Sequence, residues 1–534
     1  MDSPVVTIDD GQLKGTHKAN LDGENFHAFL GIPFGKPPVG KLRFKAPEPS
    51  EPWTGIKDAS NEGNMCFQRD FTTKVMKGSE DCLNLNVFTK TLPFEGPKLK
   101  PVMVWIYGGA FRLGSNSPKT YGPEYLLTED IVLVVPNYRV GFLGFFHLTD
   151  TSLDVPGNAG LKDQLLALKW VQKHIKNFNG DPNNVTIFGE SAGSKSAHQL
   201  LLSASAKGLF HKAILQSGVV LNPSNFCKDS GLKFAKHVQA DTETEAQALE
   251  VLQGLSVKDL YEQEEKFFQA SGGSRVIGPN IEKPNKTATI TSDPAELIAS
   301  GQYNKVPILL GYCDREGMLM EVYRRFQVMA GVEPFAIYSK IELDNFIHPD
   351  LQLAEDDPKR LIIKNKLTEL YLQPPNVDDK WLLPSDYSFI VGIITVAKLH
   401  AKTSSEPVYL YRMSLDAGCN MFKKIMKLED KGACHADDLG YLFSSEERDP
   451  FFYKGVIERR AIRRFVKLWT NFARTGNPTP KGNDLNIEWK PVDTKTVHFL
   501  DIGEELTVDT DPESERMKVW KEIFELSTST SNYL

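Results

Sequence analysis

The sequence contains no CxxC pair. Its six cysteines stand at 66, 82, 227, 313, 419 and 434, which excludes zinc-ribbon and thioredoxin-like centres. It has no surplus of positive charge either: the formal net charge is −7, the wrong sign for holding nucleic acid. Long apolar runs are missing too. The longest, FIVGIITVA at 389–397, is about half of the ~20 residues a membrane span needs, so a soluble chain with no membrane span is expected. The opening MDSPVVTIDDGQLKG lacks the basic start and apolar stretch of a secretory signal, and the final STSTSNYL carries no retention or peroxisomal signal. The expectation is a cytoplasmic protein, with a secreted one whose signal peptide has been removed as the alternative. No internal repeat, low-complexity tract or long Pro/Gly/Ser linker divides the chain, so residues 1–534 are expected to form one domain.

What is present is an ordinary globular composition, 41% hydrophobic and 25% charged, enough for a large core. Strand-like runs occur at 101–107, 131–138, 184–188, 213–217, 306–312 and 407–415. Several lack polar alternation, the mark of strands buried on both faces. Helical periodicity alternates with them. Leu161, Leu165, Leu168, Val171 and Ile175 share one face, as do Ile462, Phe465, Val466 and Trp469, the second pattern ending near Gly476. Arg459, Arg460, Arg463 and Arg464 read as the solvated face of that helix. Alternation of this kind predicts an α/β fold with a large, mostly parallel central sheet flanked by helices, and functional residues beyond the carboxyl ends of the strands.

One such end is NVTIFGESAGSKSAHQLL, where two glycines surround Ser191. A phosphate-cradling loop needs four residues between its glycines and a Lys directly after the second. Here three intervene, and Ser194 separates Gly193 from Lys195, so the amides fall out of register. A Gly-x-Ser-x-Gly turn from strand into helix presents a nucleophile instead, with the helix N-terminus facing the hydroxyl. Such a turn requires an acid and then a histidine later in the chain. Glu316 follows the strand VPILLGY, and His435 lies beyond the strand PVYLYRMSL. Earlier, VMVWIYGGAF runs from strand directly into Gly108, Gly109 and Ala110. Taken singly, an acid or a histidine is more often a surface or core residue than a catalytic one.

Together these segments resemble the carboxylesterase/cholinesterase family of α/β-hydrolases, with insect α-esterase-type carboxylesterases most similar. The resemblance covers nearly the whole chain: FLGIPFGKPPVGKLRFKAPEP, SEDCLNLNVF, VMVWIYGGAF, NYRVGFLGF, GDPNNVTIFGESAG, HADDLGYLF and WTNFARTGNPTP carry it. It implies a serine carboxylesterase with Ser191 as nucleophile, Glu316 as acid, His435 as base, and an oxyanion hole from the backbone amides of Gly109, Ala110 and Ala192. Around these it places Glu190, Ser217 and Gly108 as supporting residues, Arg43–Glu80 and Arg139–Asp163 as structural ion pairs, and Cys66 with Cys82 as a possible disulfide.

No metal or organic cofactor is implied. Small lipophilic esters are the implied substrates, and organophosphates or carbamates the covalent inhibitors. The family's third oxyanion glycine is Ala110 here, and juvenile-hormone esterases usually carry Gln where this chain has Glu190. A juvenile-hormone-type or other lipid ester hydrolase is therefore the alternative enzyme. A non-catalytic adhesion module, which typically lacks a triad member, is the alternative of another class. Met318, Met320, Phe326 and Met329 could wall the substrate pocket, with plain core packing as the default.

Overall fold

The computed structural model describes residues 2–527 apart from 71–74, 94, 96–97, 224–226, 228–229, 273–275, 330–332, 336–340, 447 and 450–453. Its centre is an eleven-stranded sheet. In chain order the strands are β1 (Thr16–Ala19), β2 (Asn25–Pro33), β3 (Asn84–Thr89), β4 (Lys100–Ile106), β5 (Val132–Pro136), β6 (Gly180–Glu190), β7 (Lys212–Gln216), β8 (Ile308–Cys313), β9 (Val408–Met413), β10 (His498–Ile502) and β11 (Leu506–Thr510). Across the sheet they run β11-β10-β9-β8-β7-β6-β4-β5-β3-β2-β1. The stretch from β10 to β5 is parallel, and the strands beyond it at either margin pair antiparallel.

The reason lies in the side chains. Every residue of β5, β7 and β8 is buried, so these strands need cover on both faces, which crossover helices supply. Helices α1 (Ala159–His174) and α2 (Ala192–Leu202) lie almost wholly in the interior. Helix α3 (Val391–Thr403) packs on β8 and β9. Helix α4 (Val456–Thr475) buries Ile462, Phe465, Val466 and Trp469, and it stops where Gly476 turns left-handed. Its arginines pair at the surface with Asp22 and Glu505, as a solvated face does. The two structural ion pairs form: Arg43–Glu80 at 2.6 Å and Arg139–Asp163 at 2.7 Å.

The apolar run at 389–397 is part of a longer helical stretch, Leu382–Thr403, long and apolar enough by composition to cross a membrane. In this fold 83% of that window is buried, so the stretch serves as a core helix against the sheet. Uninterrupted apolar length missed it because Asp386 and Ser385 break the run while staying inside the protein.

Candidate active site

Strand β6 runs between β4 and β7 up to Glu190, which pairs with Gln216. The chain then reverses at Ser191, whose φ of 57° and ψ of −120° fall where non-glycine residues are strained. Helix α2 begins at the next residue. Neither flanking glycine can be replaced freely. A Cβ on Gly189 would fall 2.5 Å from the Gly193 backbone, and one on Gly193 would fall 1.9 Å from the Ile106 carbonyl oxygen. The turn is thus wedged under β4 and held by a bond from the Ser191 N–H to the Gln216 carbonyl.

Beyond β8, a 3₁₀ turn opens with Glu316, which is fully buried. Its Oε1 accepts the Cys313 N–H at 2.8 Å, and its Oε2 lies 2.5 Å from His435 Nδ1. A carboxylate can only accept, so Nδ1 carries a proton toward Glu316. His435 stands in the loop after β9. Asp437 anchors that loop by accepting N–H bonds from Cys434 at 2.7 Å and Lys423 at 3.3 Å.

His435 Nε2 lies 2.9 Å from Glu190 Oε1, so the imidazole is held between two carboxylates. Burial works against the imidazolium, but Glu190 and Glu316 outweigh it and push His435 up to about 10. The structure therefore joins Glu316, His435 and Glu190 directly. Ser191 adjoins them: its Cβ and the Glu190 Oε2 lie 3.1 and 2.8 Å from the position a Cβ on Gly108 would occupy. Among the described residues the Ser191 hydroxyl has no hydrogen bond, and Nε2 faces Glu190 rather than Oγ. Hydrogen bonds of this kind often tighten only once substrate is bound.

Gly108, Gly109 and Ala110 follow β4 at once. Gly109 has a φ of 115° and Ala110 one of 55°. For alanine the left-handed region costs about 1 kcal/mol. The Gly109 and Ala110 amides have no acceptor among the described residues, and the Ala192 amide opens a helix, where no intrahelical partner exists. Of these amides only that of Ala110 sits on strained backbone, since glycine adopts positive φ readily.

Ser217 is buried with a φ of 54°, and its hydroxyl has no partner among the described residues. Of the methionines, Met318 packs in a small cluster with Val322, Trp381 and Cys434, while Met329 is exposed. Of the 317–335 segment around them, 330–332 lie outside the described residues.

Sequence reasoning missed a second buried layer. Asp438 accepts from Gln216 Nε2 at 2.8 Å and Tyr411 at 3.1 Å, and Trp469 donates to Gln216 Oε1 at 3.0 Å. Burial, reinforced by the nearby Glu190, pushes Asp438 up to about 7. The one available signal was the doubled acid in HADDLGYLF.

A strained serine between strand and helix, with an acid and a histidine at later strand ends, defines an esterase built on the α/β-hydrolase fold. Residues 2–520 match the model of the carboxylesterase family. The chain is 34% identical over 511 residues to a juvenile hormone esterase of Heliothis virescens, covering 91% of this chain and 88% of that one. It is 31% identical to esterase B1 of Culex pipiens, over 98% of both chains. Among solved structures it is similar to juvenile hormone esterase from Manduca sexta with OTFP covalently attached. That likeness has a TM-score of 0.86 at 28% identity and covers 98% of this chain and all of that one. The chain belongs to the carboxylesterase family, and it is a carboxylic ester hydrolase.

Proposed function

We propose that Ser191 is the nucleophile, His435 the general base and acid, and Glu316 the group that fixes the imidazole tautomer. Oγ attacks the ester carbonyl as Nε2 takes its proton. The oxyanion forms against the amides of Gly109, Ala110 and Ala192, each such donor lowering the barrier by about 3 kcal/mol. The alcohol leaves with the proton from His435, and water repeats the sequence to free the acid. The observation that carries this reading is the 2.5 Å contact between Glu316 and His435 at the strand ends facing the Ser191 turn. The same reading takes residues 1–534 as one α/β-hydrolase domain, supported by the continuous apolar core.

Substrates on this reading are small or medium lipophilic esters, while organophosphates phosphorylate and carbamates carbamoylate Ser191 without ready release. Xenobiotic ester hydrolysis or sequestration follows as a role. A juvenile-hormone-type activity is the second reading, favoured by the names of two relatives and weighed down by Glu190. Of the two locations expected, the secreted one is better supported, because Cys66 and Cys82 are joined as a disulfide, and such bonds persist in oxidising compartments. The test is turnover of p-nitrophenyl acetate: Ser191→Ala should lose roughly four orders of magnitude or more in kcat. A variant that keeps its rate ends the assignment, while a series of short-chain, long-chain and hormone esters ranks the two readings.

A further inference from the structure

The imidazole of His435 is gripped at both nitrogens, and a third group covers its face. The Phe389 ring lies on it with centroids 4.6 Å apart and planes tilted by 34°. Phe389 belongs to a single π-helical turn, Asp386–Ile390, closed by a bond from the Val391 N–H back to the Asp386 carbonyl. Such turns insert one extra residue into a helix, rotate the side chains that follow, and cluster at functional sites.

This one is fastened at both ends. Asp386, fully buried, is held by Tyr371 at 2.5 Å and Arg516 at 2.6 Å. The Phe389 carbonyl accepts from Asn222 Nδ2 at 2.9 Å. One turn earlier, Ser385 Oγ accepts the N–H of Gly317, the residue after Glu316, at 2.9 Å. That approach is close enough that a Cβ on Gly317 would fall 2.6 Å from Pro384 and 2.7 Å from the Trp381 carbonyl. The same stretch of helix therefore touches the turn that carries the acid, at Gly317, and the base itself, at His435.

We propose that Phe389 is a positioning residue for His435: the π-turn carries its ring onto the imidazole, fixes the plane in which the base works, and keeps water off its face. This rests on the reading of His435 as general base. The charged groups facing that imidazole are Glu316, from the turn after β8, and Glu190, from the end of β6; Phe389 is the apolar lid over them. With the ring gone, the imidazole can turn out of line between its carboxylates, and water screens them.

The test compares wild type, Phe389→Ala, Phe389→Tyr and His435→Ala with p-nitrophenyl acetate, each rate normalised to fluorophosphonate-titrated sites so that misfolded molecules do not count. Phe389→Ala should lose at least tenfold in kcat with little change in KM, and the midpoint of the acid limb of its kcat/KM profile should move. Phe389→Tyr, which keeps the ring, should restore both. A Phe389→Ala enzyme with wild-type kcat and pH profile and only a raised KM overturns the proposal, since the ring is then a pocket wall. If Phe389→Tyr fails as badly as Phe389→Ala, the ring face is not the cause and the proposal falls. Turnover retained in His435→Ala would instead remove the base assignment, and this proposal with it.

Discussion

A carboxylate at each nitrogen of one imidazole controls when His435 can accept a proton. Glu316 and Glu190 both favour the imidazolium, which on the proposed mechanism would stabilise the charge formed on His435 when Ser191 attacks. They also delay the appearance of the neutral base as pH rises. The acid limb of kcat/KM should therefore have its midpoint above the ordinary imidazole value of about 6.5. Removing one carboxylate lowers the proton affinity. Glu190→Gln should move that midpoint down by about one pH unit or more, with a roughly tenfold loss in kcat as imidazolium support weakens. A profile that stays put, or moves up, shows that Glu190 does not act on the base.

At this scale the glycine-flanked turn at a strand end made Ser191 legible, whereas Glu316 and His435, one acid and one histidine among many, were singled out by the family resemblance. Asp438, Gln216 and Phe389 could not, because each matters through contacts with segments distant in the chain. Ala110 was legible as a departure from glycine, but its positive φ became apparent only in three dimensions.

Among elements, the strand–turn–helix around Ser191 dominates. It depends on the absence of two side chains, because β6, α2 and β4 meet there at backbone distance. Gly193→Ala would drive a methyl into the Ile106 carbonyl, and backbone cannot yield as a flexible side chain can. The expected cost is about 3 kcal/mol, the upper end of overpacking effects, with activity lost alongside. Urea unfolding checks it, and an unchanged midpoint would mean that the turn is looser than described.

Parallel strands were legible because their uninterrupted apolar runs have no other use in a folded chain. The strands at the sheet's margins were not. β11 is mostly exposed, and β1 is half-buried up to its exposed last residue, Ala19, so neither carries a hydrophobic signature. The π-turn at Asp386–Ile390 was equally invisible, since a buried acid inside a helix reads as a break until Arg516 and Tyr371 are seen to satisfy it.

At the level of the whole molecule, the main apolar core among the described residues spans both faces of the sheet, with the site on its carboxyl margin. The sheet gathers strand ends from residues 106, 190, 313 and 413 to one edge, so that four loops far apart along the chain meet there. The Cys66–Cys82 bond closes a loop of sequence separation 16, which stabilises the fold by about 3 kcal/mol in the chain-entropy view. The central claim is that this convergence turns one half-buried serine into a nucleophile. Its most direct test is a fluorophosphonate probe followed by peptide mass mapping, on the wild type and on His435→Ala. The account predicts one adduct per chain, on Ser191, forming far more slowly without the imidazole. An adduct on Ser194 or Ser217, or labelling of Ser191 at the same rate in both proteins, would contradict it.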